Sequence, residues 1–422
     1  MLAQQLGIPR RKGTKSFLLI LLIDALGTGL FAPFSLLYFH VIAALPLTEV
    51  GVALSIATVF TFPVIPLTGT LVDRFGARRL VIGAQLLQGV GFLGYLLVRD
   101  MPLLIIMAIL VNVGQRIFWS AYFSLVSELS EGGERDRWFG LLGAAQITGI
   151  GIGNALTGVL IGTLGTPGYY SVVAIDALSF FVAALMLYFL VPVERREDST
   201  EHKNAQQGSY RMVLRDRPFL GLIVTNAAFA LCFCLIGLGL PVYATDALHI
   251  PIWVVGVALG LNTALIAFLQ TFLIRHLRAM RRTRILILAG LILALWSLLY
   301  ILALPMPQTI IIPYIIIATC TQAFGEALHA PTSNALATEA SPLALRGRYL
   351  AVFQFSWALA LFVAPTMFTV SFSLNPALPW AIGTVLALLA SLGTFLLEPH
   401  LPREAIHIST VAPQPEEQRQ AG

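Results

Sequence analysis

Charge is what this chain lacks most: only 11% of its 422 residues are Asp, Glu, Lys or Arg, against roughly 25% in an average soluble domain. That scarcity excludes a protein solvated by water on all sides. Cysteine is nearly absent too. Cys232, Cys234 and Cys320 all lie in apolar runs, with no ligand-like spacing to histidine or to each other, which excludes a disulfide frame and a zinc site. No GxxxxGK[ST] loop is present, so ATP is not the expected energy source and no cofactor is implied. An integral-membrane enzyme such as a prenyl or lipid transferase would need an acidic metal-binding cluster near a membrane face. The one acid-rich loop, SEGGERDRW, interleaves its acids with arginines and has no DDxxD-like array, so neither a metal nor an enzyme is expected.

What the chain has instead is hydrophobic length. Residues of that class make up 57%, in runs of helix length separated by short polar loops. About 20 apolar residues suffice for a helix to cross a bilayer. The runs predict twelve spans, at 16–42, 48–72, 80–98, 102–127, 138–164, 169–192, 219–243, 252–274, 285–304, 308–336, 347–371 and 377–397. The first follows Arg10, Arg11, Lys12 and Lys15, as a secretory signal would. Its length, the embedded Asp24 and the lack of a small-residue cleavage site identify it as a span instead.

The net charge of +5 invites a nucleic-acid reading, which the placement of the basic residues removes. All but two of the 26 Lys and Arg fall at the N-terminus, in the even-numbered connections or in the C-terminal tail; the exceptions are Arg99 and Arg116. The positive-inside rule demands this asymmetry of an even-span protein with both termini in the cytoplasm. The expectation is a multi-pass protein of the plasma (inner) membrane, with the lipid bilayer and no nucleic acid among its partners, and monomeric.

The longest and most charged connection divides the spans six and six. It sets out a cytoplasmic N-terminus at 1–15, a first bundle at 16–192, a linker at 193–218, a second bundle at 219–397, and a tail at 398–422 expected to lack fixed structure. The halves retain a residual likeness. FLLILLIDA (17–25) aligns with FLGLIVTNA (219–227), pairing Asp24 with Asn226, and EVGVALS (49–55) with VVGVALG (254–260). From span four to span five the likeness runs at a constant offset of 211, pairing Glu128 with Glu339, Arg135 with Arg346 and Asn154 with Pro365. Parallel repeats of six helices imply two bundles facing each other, with a substrate site between them near mid-membrane.

Between spans two and three lies GTLVDRFGARRL (69–80). It resembles signature A of the major facilitator superfamily, with Gly69, Leu71, Asp73, Arg74, Gly76 and Arg78 in place and Ala77 standing for a basic residue. The resemblance implies an all-α membrane fold of twelve helices in two pseudo-symmetric bundles, and a cytoplasmic gate in which Asp73 meets the start of span eleven. A carboxylate is favoured at a helix N-terminus. Span five, GLLGAAQITGIGIGNALTG (140–158), resembles signature C of the antiporter branch through Gly140, Gly149, Gly153 and Gly158. Asn154 stands where that signature has proline, and small residues every four positions also make a generic packing face. Arg116 in NVGQRIFWSAYF corresponds to the arginine of signature B. GEALHAPTSNALATEASPLALRGRY (325–349) resembles the drug-exporting members.

Ionisable residues inside spans mark functional sites by default. Arg116 calls for a polar cavity and a charge partner, and shares a helical face with Asn112 and Trp119. Gln322, Glu326 and His329 line one face of span ten, expected to point into the cleft. Asp176 reads as structural, and His40 lies at the end of span one. The reading is a secondary transporter that exports a small, largely apolar compound by proton coupling, with Glu326 and Asp24 exchanging protons and Arg116 acting on them electrostatically. Tyr38, Asn112, Trp119, Gln146, Asn226, Gln322 and His329 are the candidates for substrate contact. A metabolite importer or uniporter on the same scaffold is the alternative.

Overall fold

The computed structural model describes residues 14–129, 135–190, 210–276 and 280–407. Most of the expected N-terminal segment, linker and tail lies outside them. The described residues are helical because a chain in lipid must satisfy its backbone hydrogen bonds internally. Span one is Thr14–Phe31, prolonged through a 3-10 turn at Ala32–Phe34 into Ser35–Val41. Spans three to six are Ala77–Tyr95, Met101–Leu129, Arg135–Leu164 and Thr166–Leu190. Spans seven to ten are Arg217–Val242, Ile252–His276, Arg282–Ala303 and Gln308–Glu339. Span eleven is Arg346–Phe353 with Phe355–Leu374, and span twelve is Leu378–Leu397.

Span two departs from the expected single run: it is Leu47–Val59 and Val64–Phe75, separated by turns. Pro63 has no N–H to continue the ladder, and the chain closes i→i−3 bonds from Thr61 to Thr58 (3.0 Å) and Val64 to Thr61 (3.1 Å).

The two halves are built alike. In the first, span one packs on five and six, span three on four and six, and span two on four; in the second, seven packs on eleven and twelve, nine on ten and twelve, and eight on ten. The likeness reaches single atoms at the end opposite the start of span one, here the far end. Tyr38 donates its hydroxyl to the Tyr95 carbonyl (3.2 Å), and Tyr243 donates to Tyr300 (2.5 Å), the same bond 205 residues on. Ala44 and His249, also 205 apart, hold the left-handed turns after spans one and seven, with φ of 54° and 53°. Each tyrosine pair sits in an aromatic cluster, Phe31, Phe39 and Phe92 around the first, Trp296 and Trp380 around the second.

The bundles meet along span five against eight and span two against eleven. Glycine makes both approaches possible. A Cβ on Gly256 would lie 2.6 Å from the Gly158 Cα and 2.8 Å from the Asn154 carbonyl. One on Gly51 would lie 2.7 Å from the Pro365 carbonyl and collide with the Thr369 hydroxyl. Gly51 and Gly256 are repeat mates, as are Asn154 and Pro365, so the two seams are copies of one contact. Ser55 and Thr366 add a hydrogen bond of 2.8 Å across the second seam. Such bonds contribute only about 0.6 kcal/mol on average inside a membrane, so close backbone packing carries more of the contact than they do.

At the near end the tail is ordered further than expected. Glu398–His400 and Arg403–Ile406 are short helices. Glu398 pairs with Arg281 (2.8 Å) and Arg284 (3.1 Å), and accepts from the Thr283 hydroxyl (2.9 Å). With both arginines about half exposed, each pair is worth under about 1 kcal/mol. Their effect is to fix where the chain leaves span twelve, against the start of span nine.

Candidate functional site: a cavity walled by the first bundle

Among the described residues the apolar spans leave a polar chamber of about 400 Å³ in the first bundle, facing the second. Span four supplies Asn112, Gln115, Arg116 and Trp119, the stripe that one helical face presents at these spacings. Opposite stand Thr28, Phe31 and Ser35 of span one, Thr58 and Thr61 of span two, Gln88, Phe92 and Tyr95 of span three, and Phe180 of span six. Leu238 of span seven and Leu361 and Pro365 of span eleven close it from the second bundle. Aromatic faces, amides and hydroxyls thus surround a single formal charge. The guanidinium has no charge partner: among the described residues Arg116 makes neither an ion pair nor a hydrogen bond, contrary to the sequence expectation.

The expected acids lie elsewhere. Asp24 is buried in the first bundle, where Gln85 Nε2 donates to its Oδ1 (2.8 Å). Asp176 is fully buried on span six beside Gly27, where any Cβ would collide with its carboxylate. In the second bundle a polar chain crosses from span eight to span ten. Asn262 Nδ2 donates to Gln322 Oε1 (2.7 Å), and Gln322 Nε2 donates to Glu326 Oε2 (2.8 Å). Amide orientations follow from this network. Glu326 is only partly buried, whereas Gln322 is fully so.

Several candidates for substrate contact are therefore relocated. Tyr38 belongs to the far-end scaffold. Asn226 is buried, donating to the Ser356 hydroxyl (2.6 Å) between spans seven and eleven. His329 is buried at ring distances of 4.6 and 5.0 Å from Phe229 and Phe233. Gln322 serves Glu326, and Gln146 is half-buried on span five outside the chamber's lining. His40 hydrogen-bonds the Leu45 carbonyl (2.9 Å) at the turn after span one.

Of the gate motif, the side chain of Asp73 and the surroundings of Gly69 lie outside what the structure describes. Gly76 adopts φ of 81°, the turn between spans two and three that favours glycine. Arg74 lies over the Phe75 ring. Arg78 donates to the carbonyls of Leu187 and Tyr188, tying this turn to the end of span six. In the span-five motif the glycines divide their work: Gly149 and Gly153 admit span one, and Gly158 admits span eight. Asn154 is buried, with its main-chain carbonyl facing Gly256.

A two-bundle, twelve-helix membrane protein with a central chamber is the architecture of a transporter, and the sequence comparison agrees. The sequence model of the Major Facilitator Superfamily matches residues 17–365. The chain belongs to that superfamily. It is a multi-span membrane transporter, not an enzyme. Among its relatives is the multidrug resistance protein MdtH of Cronobacter sakazakii, 26% identical over 78% of this chain and 79% of that one. The protein of the same name from Edwardsiella ictaluri is 25% identical over 81% and 83%. Solved structures of similar fold include a variant of the nucleoside transporter NupG, with TM-score 0.74 and 9% identity over 91% of this chain and 98% of that one. A variant of a POT peptide transporter gives 0.73 and 16% over 96% and 99%.

Sequence reading missed Gln88 and Gln115 of the chamber. A signal was available for the second, because the offset of 211 takes Gln115 to Glu326. The offset of 205 implicit in EVGVALS and VVGVALG likewise takes Tyr38 to Tyr243 and Tyr95 to Tyr300, which marks Tyr38 as scaffold.

Proposed function

We propose that this transporter exports small, largely apolar compounds from the cytoplasm across the inner membrane, exchanging them for protons by alternating access. The chamber carries the reading: aromatic and amide walls between two bundles suit a compound that is mostly apolar with a few polar groups. The relatives named for multidrug resistance give the direction. The chain Asn262–Gln322–Glu326 supplies a carboxylate, and the protonmotive gradient supplies about 2.3 kcal/mol per charge per 100 mV. A monomer contains the whole chamber. Uptake of a fluorescent apolar compound into inside-out vesicles is expected to require a pH gradient. Uptake that ignores the gradient would point to a uniporter, and uptake in the opposite orientation to an importer.

The charge asymmetry supports an orientation with both termini and the 193–218 linker in the cytoplasm. Cysteine placed at Thr166 or Gln308 should react with an impermeant thiol reagent applied to whole cells, and cysteine at Ser199 should not. The reverse pattern overturns the orientation.

The gate reading of the span two to three turn gives a kinetic expectation. Asp73→Asn should slow turnover about tenfold or more while changing substrate affinity less than about threefold, because a group remote from the chamber acts on the balance of two global states. Reduced affinity with unchanged turnover would remove Asp73 from the gate.

A further inference from the structure

The chamber's electrostatics are one-sided. Arg116 is the one Lys, Arg, Asp or Glu on its wall, and it has no anionic partner among the described residues. None of the acids inside the described spans reaches it: Asp24 is bonded to Gln85 and Glu326 to Gln322, and Asp176 is fully buried beside Gly27, off the chamber wall. A charge inside a membrane protein is costly when unpaired, so a ligand that brings an anion gains what the protein itself leaves unmade. An organic cation meets repulsion instead. Beside the guanidinium stand the amides of Asn112 and Gln115, able to donate to oxygens, and the Trp119 ring one turn further on. Phe92 and Phe180, stacked at 5.2 Å, offer the opposite wall an aromatic surface.

From this we propose that the preferred cargo is an amphipathic organic anion, an aromatic carboxylate or sulfonate whose acidic group docks on Arg116 while its ring lies among the chamber's aromatic side chains. The guanidinium fork matches a carboxylate bidentately, which a point charge does not. The inference deepens the export reading and rests on it for the direction of movement only. Discrimination arises in the bound state, where an anion completes an ion pair and a neutral isostere leaves the guanidinium bare.

Equilibrium binding of three probes to the purified full chain in nanodiscs, with no gradient, tests it: 2-naphthylacetate, 2-naphthylacetamide and (2-naphthylmethyl)trimethylammonium. The carboxylate is expected to bind at least about tenfold tighter than the amide, as a charge-assisted contact gives, and the ammonium weakest. Arg116→Gln should equalise carboxylate and amide, and Arg116→Lys should restore part of the difference. Equal binding of the three probes to the unaltered protein overturns the inference without recourse to any variant, as does a carboxylate preference that survives Arg116→Gln. Flux of the same probes in inside-out vesicles separates the two readings. Proton-driven flux with no carboxylate preference sinks the anion inference and leaves export standing. Arg116-dependent carboxylate binding without proton-driven flux sinks the coupling and leaves the anion inference standing.

Discussion

Glu326→Gln is expected to reduce pH-driven uptake into inside-out vesicles to background while leaving equilibrium binding of substrate within about threefold of the parent. The amide keeps the size of the carboxyl and can still accept from Gln322 Nε2, the 2.8 Å bond that now ends on Glu326 Oε2. Losing the charge-assisted part of one such bond costs on the order of 1 kcal/mol, too little to unfold a twelve-helix protein. What the amide cannot do is ionise. Its repeat mate, Gln115, shows that glutamine is accommodated at the equivalent place in the first bundle, on the chamber wall. Asp24→Asn is the matched comparison. It preserves an acceptor for Gln85 and should reduce coupled transport by less, because Asp24 is buried at 7% exposure whereas Glu326 is only partly buried and so open to proton exchange. If Glu326→Gln couples normally and Asp24→Asn does not, span one carries the proton. If both couple normally, the gradient used is not protonic.

The spans were legible because a bilayer imposes the simplest of folding rules, a minimum apolar length with internally satisfied backbone. The break in span two does not follow from Pro63 alone, because proline inside a membrane helix is compatible with both a kink and a break and only the packing decides. The side-chain assignments divide by cause. Asn112, Arg116 and Trp119 were placed together by helical spacing, and the chamber brings them together. That lipid rejects polar groups says of Asn226 and His329 only that they point inward. Inward includes the interior of a bundle, where Asn226 meets Ser356 and His329 meets Phe229. The rule cannot separate those two interiors; the repeat can, when both copies are followed residue by residue.

The repeat also locates the second large effect, at the seams. Gly256→Leu is expected to abolish transport, while Gly83→Leu, at a glycine with open space around it, should leave transport within about twofold of the parent. Carbon atoms pack no closer than roughly 3.5 to 4.0 Å, whereas the first side-chain atom at position 256 would stand 2.6 Å from the Gly158 Cα. The obstacle is backbone on the opposite bundle, so no rotamer relieves it and the bundles must separate along the far half of spans five and eight. Gly51→Leu should do the same through its copy of the contact, less completely, because part of its obstruction is the movable hydroxyl of Thr369. If alternating access requires the far half to close, either variant stays open there. Cysteine at Thr366, across the second seam from Ser55 at 2.8 Å, should then react with an impermeant thiol reagent from the far side at least about tenfold faster in Gly256→Leu than in the parent. Full transport by Gly256→Leu would mean that the contact of Gly256 with Gly158 is not a state through which the transporter passes, and that the seal forms elsewhere. Loss of transport without increased reactivity at position 366 would place the damage in folding rather than in closure, and the two seams would then be packing alone.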